Sequence, residues 1–126
     1  MLTKVATEKA PAAIGPYSQG IIANNFLFAS GQIPIVPETG EIAQGDITVQ
    51  AQQVMKNVGE VLKAAGTEFE NVVKTTCFLA DMADFGAFNQ VYEEYFVSKP
   101  ARSCVAVKEL PKGVLCEVEA IGVKES

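Results

Sequence analysis

The chain has 126 residues, 48% hydrophobic and 20% charged, with a formal net charge of −5 and no histidine. This length can bury a core without disulfide staples, while the acidic balance and singly scattered Lys and Arg argue against a general binder of phosphate backbones. The missing histidine removes histidine-based triads, Cys-His pairs and almost all common zinc or iron sites. Arg, Glu, Asp, Tyr, Cys, Ser, backbone groups and water are left for any chemistry.

One domain over residues 1–126 is expected. No apolar run approaches the roughly 20 residues of a membrane-spanning helix. The start, Met1-Leu2-Thr3-Lys4-Val5, lacks the apolar centre of a secretory signal. A cytoplasmic location is the expectation. Cys77, Cys104 and Cys116 are odd in number and lie in apolar, strand-like surroundings, which reads as reduced thiols rather than a disulfide framework.

In chain order, the residues before Pro11 read as a short strand or arm. Pro11 to Tyr17 follows as a loop punctuated by proline and glycine. Gly20 to Ala23 and Phe26 to Ala29 flank Asn24-Asn25, which predicts a hairpin because Asn tolerates the positive φ of a tight turn. The hairpin ends at Ser30-Gly31-Gln32. From Ile33 to Gly40 the prolines and glycine deny a regular central strand, so a long ordered loop is expected.

Ala51, Val54, Met55, Val58, Val61, Leu62 and Ala65 recur at three- and four-residue steps. They predict a helix with Asp46 or Thr48 as N-cap and Gly66 beyond its end. Val72 to Ala80 is rich in Val, Thr and Phe and apolar on both sides, as a central strand is. Phe85, Phe88, Val91, Tyr92, Tyr95 and Phe96 mark a second helix capped by Asp81 or Asp84, and its aromatic residues read as core. Strand, helix, strand over Val72 to Val107 is the βαβ pattern of two parallel neighbours. Leu110-Pro111-Lys112-Gly113 then turns into a last strand, Val114 to Val123.

The sum is one mixed sheet with two helices packed on one face, an α+β fold. Its other face carries apolar side chains such as Leu115 and Ile121, more than a monomer usually exposes, so a homo-oligomer is expected to cover it.

Arg102 follows Pro100-Ala101 at the mouth of a strand, where alternation puts Arg102, Cys104 and Ala106 on one side. Its planar fork suits a carboxylate bound through two hydrogen bonds, although a structural ion pair would place an arginine there equally well. Glu117 and Glu119 share a strand face with Leu115 and Ile121. Carboxylates in such a row either pair with a cation or hold a water for attack on an electrophilic carbon. Cys104 reads as a small half-buried wall rather than a nucleophile, and Cys77 and Cys116 as core. The GxxxxG spacings from Gly15 and Gly40 end at Ile21 and Asp46 where a phosphate loop needs lysine.

Pro100-Ala-Arg-Ser-Cys-Val-Ala-Val, Leu110-Pro-Lys-Gly and Glu117-Val-Glu-Ala-Ile resemble the Rid family, also called YjgF or reactive intermediate deaminase A. The resemblance runs on through Ala10 to Gly20, Ser30-Gly-Gln-Ile-Pro, Asn57, Ala64-Ala-Gly and Val73-Lys-Thr-Thr, so it covers nearly the whole chain. It implies a chorismate-mutase-like fold with a six-stranded mixed sheet. It further implies a homotrimer with clefts between subunits, and hydrolysis of 2-imino acids to 2-oxo acids and ammonia. On that resemblance Arg102 binds the substrate carboxylate and Glu117 orients water, while Tyr17, Ser30, Gly31, Asn89 and Cys104 line the pocket. No metal and no organic cofactor is implied, since an iminium carbon is already electrophilic. A ligand sensor for 2-oxo acids, or an RNA-related or regulatory protein, is the alternative reading.

Overall fold

The structure, a computed structural model, describes residues 2–124. Its eight strands are β1 (Thr3–Val5), β2 (Gly20–Ala23), β3 (Phe26–Gln32), β4 (Ile35–Val36), β5 (Glu41–Ile42), β6 (Val72–Leu79), β7 (Ala101–Ala106) and β8 (Cys116–Val123). Its helices are α1 (Ile47–Ala64) and α2 (Phe85–Tyr95). Six strands form the main sheet in the order β1-β2-β3-β8-β6-β7, in which β6 and β7 run parallel and every other pair antiparallel.

The hairpin between β2 and β3 turns on Asn24 and Asn25, whose φ values of 48° and 67° are those its right-handed twist requires. α1 starts where the Asp46 side chain accepts a hydrogen bond from the Val49 N–H at 3.2 Å, which removes Thr48 as the cap. Ala51, Val54, Met55, Val58, Val61 and Leu62 of α1 are all buried, together with Phe88, Val91 and Tyr92 of α2. Beneath them lie Leu27 and Ala29 of β3, Val118 and Ala120 of β8, and Thr75, Cys77 and Leu79 of β6. Asp84 stands at the start of α2 without a side-chain bond. Asp81 caps the preceding short turn instead, accepting from the Ala83 N–H at 2.9 Å.

β6 lies between β8 and β7, as its two apolar sides require, and β7 is left on the edge of the sheet. Three boundaries differ from the pattern in the sequence. The expected loop after Gln32 contains a small two-stranded ladder in which Ile35 faces Ile42 and Val36 faces Glu41, apart from the main sheet. The buried Asn57 of α1 fixes its approach by donating to the carbonyls of Ile33 and Ile35 at 3.0 and 2.9 Å. β3 continues through Ser30 and Gly31 with a register irregularity between Ala29 and Gln32. β8 starts at Cys116, because Pro111–Gly113 winds into a short turn with Lys112 at φ 57°. Leu115 therefore precedes the strand and packs against the core instead of extending the row of Glu117, Glu119 and Ile121.

That row belongs to the face without helices. Phe26 and Phe28 of the inner strand β3 and Val105 of the edge strand β7 are 42%, 47% and 46% exposed there, apolar side chains on a sheet face that no helix covers. Among the described residues no helix is long and apolar enough to cross a membrane.

Candidate functional site

Arg102 lies on the helical side of β7, since its register partner on β6 is Thr75, which is fully buried beneath α2. β7 is an edge strand, so the neighbours of the guanidinium come from α2. Asn89 accepts a hydrogen bond from an Arg102 Nη at 2.6 Å. The guanidinium carbon stands 4.7 Å from the ring centre of Tyr92 and 5.5 Å from that of Phe85. The Tyr92 hydroxyl in turn is 2.7 Å from the hydroxyl of Thr75. Among the described residues the hydrogen-bond partner of Arg102 is thus a neutral amide rather than a carboxylate, although Glu93 and Glu94 also line the groove around it. Asn89, Tyr92, Lys99, Pro100 and Arg102 line a groove of 620 Å³.

Cys104 follows two residues on, half-buried, with Cys77 as its register partner. Burial pushes its thiol up, and the nearby Arg102 only partly opposes this, so the protonated form of a small wall residue prevails. Cys77 and Cys116 are pushed up to about 12 by burial and stay inert in the core.

Glu117 is on the other side of the sheet. Its register partner Phe78 belongs to the open face, whereas its neighbours Cys116 and Val118 point into the core. It meets Gly31 at the irregularity of β3, where the strand bends. A Cβ built on Gly31 would stand 2.9 Å from the Glu117 carboxyl carbon, closer than packed atoms come, so glycine is what admits the carboxylate. Burial, and then repulsion from Glu119, raise the Glu117 carboxyl above its ordinary range. Tyr17, Ser30, Gly31, Ile33, Ile35 and Glu117 line a largely apolar cleft of 650 Å³ that also touches Lys112 and Glu119.

The expected residues therefore divide into two half-sites. Tyr17, Ser30, Gly31 and Glu117 come together in the cleft, Arg102 and Asn89 in the groove, and Cys104 lines neither. Arg102 and Glu117 cannot meet one small substrate within one chain, because the sheet stands between them. The Ser30 hydroxyl donates to the Ser18 carbonyl at 2.6 Å, which ties β3 to the loop carrying Tyr17. Among the described residues no three His, Cys, Asp or Glu side chains gather as metal donors.

Three contributors, Gln19, Phe85 and Tyr92, are not marked as such in the sequence. Gln19, 4% exposed, accepts from the Thr7 N–H and donates to the carbonyls of Thr7 and Pro11, locking the loop that carries Tyr17. Phe85 and Tyr92 have the helical spacing of core residues and nothing local marks them as neighbours of Arg102. A glutamine directly before an apolar strand was the available signal for Gln19, because such an amide, once buried, must find several partners.

Replacing Gly31 by alanine is expected to expel the Glu117 carboxyl from the cleft and return its titration toward the ordinary glutamate range. An NMR titration of the Glu117 side chain in Gly31→Ala reads this directly. A carboxyl still raised as in the wild type would mean that the glycine does not position it.

The comparisons agree with this architecture. A family profile described as Endoribonuclease L-PSP matches residues 7–124. A RutC family protein of Pyrococcus horikoshii is 57% identical over 122 residues, covering 96% of this chain and 97% of its own. A mouse protein named 2-iminobutanoate/2-iminopropanoate deaminase is 50% identical over 121 residues, covering 95% of this chain and 90% of its own. The crystal structure of the YjgF gene product from E. coli superposes with a TM-score of 0.92 at 46% identity, covering 98% of this chain and 99% of that one. With a six-stranded mixed sheet, two helices on one face and sequence likeness along nearly its whole length, the chain belongs to the YjgF/Rid family, the family of the Endoribonuclease L-PSP profile.

Proposed function

We propose that the protein hydrolyses 2-imino acids to 2-oxo acids and ammonia, in sites completed between copies of the chain. The observation that carries this reading is the electrostatic character of the two half-sites. Arg102 is stacked on aromatic rings and held by a neutral acceptor, which suits it to a substrate carboxylate. Glu117 sits in an apolar-walled cleft with its carboxyl raised, which suits it to water and proton transfer. A 2-imino acid carries both a carboxylate and an electrophilic carbon next to it. The naming of the mouse relative as an imine deaminase supports the same class.

The reaction balances without further reactants. Water, oriented by Glu117, adds to the protonated imine carbon, forming the C–O bond while the C–N π pair moves to nitrogen. A proton passes from the added oxygen to that nitrogen. The remaining hydroxyl then gives its proton to the Glu117 carboxylate, its O–H pair forms the C=O bond as the C–N bond breaks, and the departing ammonia takes up that proton to leave as ammonium. Arg102 fixes the carboxylate throughout, so its contribution is orientation and charge. Tyr17, Ser30 and Gly31 shape the cleft side of the pocket and Asn89 the groove side, and Cys104, which lines neither within one chain, joins the pocket only where a neighbouring copy closes it.

A second copy supplies what one chain lacks. The exposed Phe26, Phe28 and Val105 give the helix-free face reason to self-associate, and a cyclic homotrimer presents each Glu117 cleft to the Arg102 groove of a neighbour. The test generates 2-iminobutanoate in place from threonine with a dehydratase and follows its decay. Wild type should accelerate decay, while Arg102→Ala and Glu117→Gln should each retain at most about a hundredth of that acceleration. Mixed at equal concentration after dissociation and reassembly, the two inactive variants should recover about one quarter of wild-type activity, the share of clefts that receive both intact residues in random assembly. A mixture as dead as its components would overturn a site shared between chains. A wild type no faster than buffer on several imino acids would leave a 2-oxo acid sensor as the better account.

A further inference from the structure

We infer that Tyr92, locked by Thr75, is a positioning residue that acts through Arg102, forming with Asn89 a preorganised receptor for a guanidinium ion. The inference rests on the reading of Arg102 as the carboxylate anchor.

An arginine on an edge strand has many rotamers and only one strand beside it, so left alone it would meet its ligand as a disordered ensemble. Two constraints remove that freedom. The Tyr92 ring face lies 4.7 Å from the guanidinium carbon, within the range of a cation–π contact, and Phe85 is a second ring at 5.5 Å. The Asn89 carbonyl oxygen takes one N–H at 2.6 Å. A plane fixed by a ring and an azimuth fixed by one hydrogen bond define the orientation, and the other N–H donors of the fork remain for a ligand.

Tyr92 is itself immobilised. It is 7% exposed, its ring stacks on Phe96 at 4.5 Å, and its hydroxyl meets Thr75, the register partner of Arg102 on the adjacent strand. Thr75 is fully buried, so this hydroxyl pair has no competing water and sets the ring relative to β7. Burial keeps the Tyr92 hydroxyl above its ordinary value and therefore neutral. The amide of Asn89 is the second device. A carboxylate in its place would hold Arg102 equally well but would cancel the charge that an anionic substrate needs.

The experiment measures the affinity of the full-length protein for 2-oxobutanoate by calorimetry, beside KM and kcat for imine hydrolysis. Tyr92→Leu should weaken binding and raise KM by at least about tenfold while kcat stays within about threefold, the pattern of lost uniform binding. Tyr92→Phe and Thr75→Val keep the ring and should each weaken binding by roughly threefold, and they decide the matter if Tyr92→Leu fails to fold. In Arg102→Ala, guanidinium chloride at low millimolar concentration should raise the residual activity at least about tenfold, and should not raise it in the Arg102→Ala/Tyr92→Leu double variant.

Wild-type affinity in the Tyr92 and Thr75 variants, with Arg102→Ala still inactive, would overturn the clamp and leave the anchor standing. Wild-type affinity and turnover in Arg102→Ala itself would remove the anchor and the clamp with it. Equal guanidinium response with and without the Tyr92 ring would also overturn the clamp.

Discussion

Arg102→Lys is expected to lose imine hydrolysis almost as completely as Arg102→Ala. Lysine keeps the charge but offers a compact ammonium on a flexible stem, so it can neither stack flat on Tyr92 nor present a planar fork to a carboxylate. Its ammonium could donate to the Asn89 oxygen, now bonded at 2.6 Å, but not while presenting a coplanar pair of donors to a carboxylate. Breaking a desolvated, hydrogen-bonded charge pair costs about 2 to 5 kcal/mol, which corresponds to roughly 30-fold to several-thousandfold in rate. The measurement is kcat/KM with 2-iminobutanoate at matched folded concentration, verified by circular dichroism. Turnover within a few-fold of wild type in the lysine variant would mean that charge alone suffices and that the two-hydrogen-bond geometry is not used.

Glu117→Gln is expected to lower kcat by about 10²- to 10⁴-fold, the range for removing a positioned acid–base group. The variant retains shape and polarity, so a fall of this size isolates the proton-transfer role. Burial and the neighbouring Glu119 raise the Glu117 carboxyl, and the proposed role, accepting a hydrogen bond or proton from water, needs the ionised form. Activity should therefore fall on acidification at a pH above the ordinary glutamate value of about 4.3, and the residual activity of the glutamine variant should lack this limb.

The same shift fixes the sign for stability. A carboxyl raised in the folded state contributes stability that is fully present below its unfolded pKa and lost as pH rises through the folded one. Above that folded value the ionised Glu117 is consequently a cost. Glu117→Gln should unfold at an equal or higher temperature than wild type at pH 7, and this advantage should vanish as the pH drops through the ordinary carboxylate range. A variant less stable at neutral pH would show that Glu117 holds a structural partner.

The fold was legible wherever a local rule had no competitor. Asn24-Asn25 demanded a turn with positive φ, the apolar steps from Ala51 to Ala65 demanded a helix, and a strand apolar on both sides had to lie inside the sheet. Boundaries failed where tertiary contacts decide them. The carbonyls of Ile33 and Ile35 are taken up by Asn57 more than twenty residues away, and Leu115 leaves the strand row because its N–H bonds the side chain of Gln50 at 2.9 Å.

Alternation correctly put Cys104 beside Arg102 and Glu119 beside Glu117. Yet no periodicity within one strand can say which face of a sheet another strand's residue shares, so the sheet standing between Arg102 and Glu117 emerged only from the register. The aromatic neighbours of Arg102 were hidden for the opposite reason. Phe85 and Tyr92 obey the helical pattern of core residues so well that the pattern conceals their contact with a cation.

The position of β8 also has a temporal meaning. It is synthesised after the other strands of the sheet, yet it is inserted between β3 and β6, pairing Phe26 with Val123 and Leu79 with Cys116. Until it leaves the ribosome, the β1–β3 meander and the β6–α2–β7 unit have no common ladder, and the two fragments can only wait side by side. Closing that gap joins residues nearly a hundred positions apart, a slow step for any chain. A nascent chain that has not yet made β8 thus lacks the strand that joins β3 to β6, and both flanks of that slot are unpaired edges.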